Sequence, residues 1–174
     1  MSKIDITRIS DELRNHQGFD HRGCFGTACD DKCCQWGADV DREAYDLTIT
    51  HRNRIGAMLG RKVEECFEPT WSGETDFLGQ NSIATTIING TCSFRNPTGR
   101  GCVLFYLAVK EDFPKRIVPS TCRLFPISWD KGEMILFKGI LPTCNCLAPD
   151  NPGSRKVLET QQEAMEDIFQ IRLS

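Results

Sequence analysis

Apolar residues recur near helical spacing at Ile4, Ile6, Ile9 and Leu13, which predicts a short amphipathic helix over Ile4 to Asn15. A second stripe, Tyr45, Ile49, Ile55 and Leu59, predicts a helix capped by Asp39 or Asp41 and stopped by Gly60. Between them, from His16 to Trp36, neither period 2 nor period 3.6 can be found. Gly18, Gly23 and Gly26 punctuate that stretch, so it is expected to be irregular. Pro69, Gly73 and Gly79 reduce Lys62 to Gln80 to a short helical turn followed by loop.

Two hairpins follow from turn chemistry. β-Branched Ile83 to Ile88 runs into Asn89-Gly90 and then Thr91 to Phe94, a type I′ signal because Asn and Gly tolerate positive φ. Leu124 to Trp129, a turn at Asp130-Lys131-Gly132, and Glu133 to Phe137 predict the second, with Pro126 restricting its strand to an edge or a bulge. The apolar run Cys102 to Lys110 fits helix better than strand. Asn151 and Pro152 read as cap and first turn of a C-terminal helix over about 152–172, whose apolar side carries Val157, Ala164, Met165, Ile168 and Ile171. Together these elements predict one α+β domain over 1–174: helices, two short β-hairpins and an irregular cysteine-rich loop, with the motif region at 24–129.

A length of 174 residues, 40 % hydrophobic, suffices for one core and contains no apolar run of membrane-span length. With 21 basic and 24 acidic side chains the net charge is −3, which gives no general attraction for nucleic acid or anionic lipid. Met1 to Asp11 lacks the apolar core and cleavage site of a secretory signal, so a cytoplasmic protein is expected.

Ten cysteines change the picture. In a reducing compartment so many thiols point to metal, although an even count also fits paired disulfides. Cys24-x4-Cys29-x3-Cys33-Cys34 places four of them within eleven residues, and Cys92, Cys102, Cys122 and the pair Cys144-Asn145-Cys146 follow at a distance. Glycine-rich irregular backbone can turn several soft thiolates towards one point, where zinc or an iron–sulfur cluster would sit. The spacing is nearer the plant-type Cys-x4-Cys-x2-Cys iron–sulfur loop, one residue longer, than a zinc finger, which tilts the expectation slightly towards iron–sulfur. Adjacent Cys33 and Cys34 argue against a simple one-metal site, since neighbouring side chains in extended backbone point apart. Isolated Cys66 reads as a buried structural thiol. His21 could add a ligand three residues before Cys24, and Asp39, Asp41 and Tyr45 could line a site, although a capped helix start explains the acidic pair more simply. No Walker A loop and no Gly-x-Gly-x-x-Gly fingerprint occurs.

Cys24-Phe-Gly-Thr-Ala-Cys29-Asp-Asp-Lys-Cys33-Cys34-Gln-Trp36, with Val40-Asp41, Tyr45, Gly101-Cys102 and Thr121-Cys122-Arg-Leu-Phe-Pro126, resembles the CxxCxxCC cysteine-cluster family, a zinc- or iron-chelating domain. The long first spacings, Trp36 and Val40-Asp41 look most like its flagellin lysine N-methylase branch. The resemblance implies a metal or iron–sulfur centre on Cys24, Cys29, Cys33, Cys34 and Cys122, with Cys92 and Cys102 supporting. Cys144 and Cys146 are further candidate ligands outside the shared motif. Three functions follow as expectations: a metal-binding protein without substrate chemistry, a methylase-like enzyme using S-adenosylmethionine on a protein lysine, or a redox and metal-storage thiol protein.

Overall fold

The computed structural model describes residues 5–24, 32–73, 78, 80–139 and 144–170. Helices and small sheets alternate along the chain, an α+β architecture without a closed barrel among the described residues. No described helix is long and apolar enough to cross a membrane. The chain divides into two compact units, Cys33–Ser120 and Ser2–Lys32 with Thr121–Ser174.

In the first unit β2 (Asp39–Val40), β4 (Ile83–Thr85) and β3 (Phe67–Trp71) form a sheet in the order β2-β4-β3, antiparallel at both joins. Helices α2 (Arg42–Thr50), α3 (Arg52–Leu59) and α4 (Val103–Lys110) accompany it. Ala44, Ile55, Leu59, Phe67, Phe94, Val103, Leu104 and Leu107 supply buried side chains, with the Phe67 and Phe94 rings 5.3 Å apart. A separate hairpin pairs β5 (Ile87–Ile88) with β6 (Thr91–Cys92) around Asn89-Gly90, both at positive φ as a type I′ turn requires.

In the second unit β1 (Arg8–Ile9) lies parallel to β8 (Glu133–Leu136), which pairs antiparallel with β7 (Ile127–Asp130). The β7–β8 turn, Lys131-Gly132, has positive φ at both residues. Helices α1 (Asp11–Asn15), α6 (Val157–Thr160) and α7 (Gln162–Phe169) belong to this unit, and α5 (Ser120–Leu124) begins at the last residue of the first. Leu13, Phe19, Met134, Val157 and Met165 are fully buried.

Several elements depart from the sequence pattern. The first helix begins only at Asp11, because Arg8 and Ile9 pair with β8 and the Ser10 hydroxyl accepts the Leu13 N–H at 3.2 Å, capping a single short helix. The long helix ends at Gly60, with φ +71°, yet breaks at His51 into α2 and α3. Asp39 is in β2; Asp41 is the N-cap residue of α2, as expected, its carbonyl accepting the Tyr45 N–H at 3.0 Å, while its carboxylate accepts the Ser120 N–H at 2.8 Å in place of a first-turn N–H. Phe67–Trp71, expected as loop, is a strand; Pro69 is tolerated there because β3 is an edge. Ile83 to Ile88, expected as one strand, divides at Thr86, whose N–H reaches the Cys66 carbonyl and whose hydroxyl reaches the Glu65 carbonyl, both at 2.9 Å. The C-terminal helix starts at Val157, not Pro152, because the Asn151 amide turns back to the Asn145 carbonyl. It also breaks at Gln161, whose side-chain amide donates to the Arg123 and Phe125 carbonyls. Pro126 lies just before β7, itself an edge strand, as its chemistry requires.

Candidate metal centre

The nine described cysteines are present as thiols. Cys33 and Cys34 occupy a 3-10 turn, Lys32–Cys34, and both are half-buried. The chain then passes Trp36, 60 % exposed, and Gly37 at φ +70°, before entering β2. Gly37 is required here: a Cβ would stand 2.6 Å from Thr85 Oγ1 on β4. The Thr85 hydroxyl accepts the Ala38 N–H at 2.9 Å and the Cys92 thiol at 3.4 Å. One buried hydroxyl therefore links the backbone just after the paired cysteines to the cysteine that ends the β5–β6 hairpin.

Cys102 reaches the same unit by a different route. The Cys92 carbonyl accepts the Arg95 N–H, Arg95 pairs with Cys102 in an antiparallel bridge, and the flanking bonds Asn96 N–H to Gly101 and Val103 N–H to Phe94 hold that bridge. Cys102 thus sits at the N-cap of α4. Burial pushes its thiol up to about 12, with repulsion from Cys92 next in size; the N–H groups of Phe105 and Leu104 oppose the shift, and Cys33 adds a smaller repulsion. Although the residue as a whole is half-buried, its sulfur is desolvated and feels the charge that Cys92 and Cys33 would carry. Cys66 differs: it is fully buried, its thiol donates to the Lys62 carbonyl at 3.7 Å, and desolvation is the main cause that raises its pKa.

The second unit holds the other described cysteines. Cys144 and Cys146, 5 % and 6 % exposed, flank Asn145 in a 3-10 turn. Gly18 lets the chain pass this turn, since a Cβ there would stand 2.8 Å from the Leu147 Cα. Cys24 and Cys122 are half-buried. The residues flanking these two share Gln161: a Cβ on Gly23 would lie 3.6 Å from its Oε1, and its amide nitrogen donates to the Arg123 carbonyl at 3.1 Å. His21 is exposed. Cys29 lies outside the described residues.

Among the described residues, no three His, Cys, Asp or Glu side chains already stand close enough to hold a metal ion. In kind, the donors fit a soft cation. The charges that Cys33 and Cys92 would carry repel that of Cys102 in the same unit, and a thiophilic cation removes both the Cys102 proton and that repulsion. No motif singles out Gly37 or Thr85: a lone glycine after Trp36 and one β-branched residue in a strand carry no signal of the contact between them. Compared with known proteins, the chain matches no family model, no curated protein and no solved structure.

Proposed function

We propose that the chain is a metal-binding cysteine-cluster protein that holds an iron–sulfur cluster or zinc through thiolates. The observation that carries this reading is the motif itself, four cysteines within eleven residues of glycine-punctuated backbone. The electrostatic linkage of the desolvated Cys102 thiol to Cys92 and Cys33 supports it, because a cation bound there would offset the repulsion that those charges exert on it. Cys33, Cys34, Cys92 and Cys102 are the candidate ligands of the first unit, Cys24, Cys122, Cys144 and Cys146 those of the second, and Cys29 completes the motif. The slight preference for iron–sulfur rests on the Cys-x4-Cys-x3-Cys spacing. Protein purified without oxygen is the test. Iron matched by acid-labile sulfide, with broad absorption that bleaches on reduction, supports the cluster; a colourless protein with stoichiometric zinc selects zinc. Metal-free protein that takes up neither iron and sulfide nor zinc would overturn both.

A further inference from the structure

We infer that Thr85 is a positioning residue for the Cys92 thiolate, its hydroxyl donating a hydrogen bond to the sulfur once a metal ion has displaced the thiol proton. This deepens, and rests on, the metal-binding reading above.

The Thr85 side chain is buried, with 6 % of the residue exposed, so its hydroxyl must find partners inside the protein. A hydroxyl accepts through two lone pairs and donates one hydrogen. Both acceptor positions are used, by the Ala38 N–H at 2.9 Å and by the Cys92 S–H at 3.4 Å. With Cys92 as a thiol, two donors face this oxygen, and among the described residues its own hydrogen has no oxygen acceptor. When a cation binds Cys92, the S–H bond breaks heterolytically, the proton passes to solvent water and the electron pair stays on sulfur for the metal. The contact to Thr85 then reverses. The O–H donates to the thiolate while the oxygen keeps the Ala38 N–H, and every group is satisfied. Charge-assisted bonds of this kind are stronger than the neutral S–H contact they replace.

Gly37 fixes where that hydroxyl stands. Its φ of +70° brings backbone so close that a Cβ would lie 2.6 Å from Thr85 Oγ1 and 3.1 Å from Ile87 Cδ1. The hydroxyl is therefore held between the chain that leaves Cys33-Cys34 and the hairpin that ends in Cys92. A partner that hydrogen-bonds a metal ligand orients it and slows its release, and loss of such a partner weakens metal binding about 10- to 100-fold.

The test uses Co2+ bound to the full metal-free chain, read by its sulfur-to-cobalt charge-transfer absorption and by its rate of release to a chelator. Thr85→Val, which keeps shape but not the hydroxyl, should release cobalt about tenfold faster or more and shift the charge-transfer band, and Thr85→Ser should restore both. Thr85→Ala gives the same readout by a second route if Val does not fold. In a Cys92→Ser background, Thr85→Val should add nothing. Hydroxyl-free variants with wild-type band and release rate would overturn the positioning role while leaving metal binding intact. A wild-type chain that shows no sulfur-to-cobalt band at all would instead overturn the metal reading.

Discussion

The two hairpins share turn chemistry and differ in everything the turn does not control. Asn89-Gly90 and Lys131-Gly132 are both two-residue loops with positive φ at each position. The β7–β8 hairpin runs four residues a side, gains β1 as a third strand and buries Met134 and Leu136 completely or nearly so. The β5–β6 hairpin has two residues a side, leaves Ile87 47 % exposed and ends in Cys92. A two-stranded ribbon that short has little stability of its own. Bonds at its base hold it: Ser93 N–H to the Thr86 carbonyl, and the Ser93 hydroxyl to the Cys66 carbonyl, both at 2.9 Å. One turn type thus builds core in one unit and delivers a thiol in the other.

The largest effect that separates them should be on packing. Met134→Ala removes a fully buried side chain and should cost about 2–5 kcal/mol in chemical unfolding, whereas Ile87→Ala should stay within about 0.5 kcal/mol. Equal losses would show that β5–β6 also carries core. A smaller difference lies in the turns. Alanine at either glycine meets the positive φ, at about 1 kcal/mol. At Gly132 the new Cβ would also stand 3.1 Å from the Asp5 carbonyl oxygen, whereas Gly90 has open space around it, so Gly132→Ala should cost more. Melting of the two variants side by side checks the order, and a more damaging Gly90→Ala would reverse it.

The third difference is in pH. Cys102 lies in the bridge that follows the short hairpin, and its thiol is raised from the ordinary 9.0 to about 12 by burial and by Cys92. The folded metal-free chain therefore holds this proton more tightly than the unfolded one. The resulting stability is fully present below about pH 9 and is lost as pH rises through about 12. Cys102→Ala should unfold with a flatter pH dependence across that window. A variant whose pH profile follows wild type would remove Cys102 as the titrating group.

Turn and helix-stop chemistry was legible because it is local: Asn89-Gly90, the Lys131-Gly132 turn, Gly60 and the helix beginning at Val103 all follow from a few adjacent residues. What the pattern missed was decided by distant partners. Arg8 and Ile9 became a strand only because β8 offered an edge, Thr86 broke a β-branched run by bonding to the Cys66 and Glu65 backbone, and Gln161 broke the last helix for the Arg123 and Phe125 carbonyls. Asp41 holds the N-cap position that the pattern gave it, but its carboxylate serves Ser120, 79 residues away. At the candidate site the cysteines were plain from composition and spacing. Thr85 was not, since a hydroxyl's role depends on which groups the fold aims at it.

The central claim, that the motif cysteines and their proposed co-ligands hold a metal while the isolated Cys66 does not, is tested most directly by metal content per chain in oxygen-free preparations of single serine variants. The account predicts that Cys33→Ser and Cys102→Ser lose most of the metal bound by wild type, while Cys66→Ser, whose thiol is buried against the Lys62 carbonyl, keeps it. Equal metal in all three variants, or a loss confined to Cys66→Ser, would contradict it.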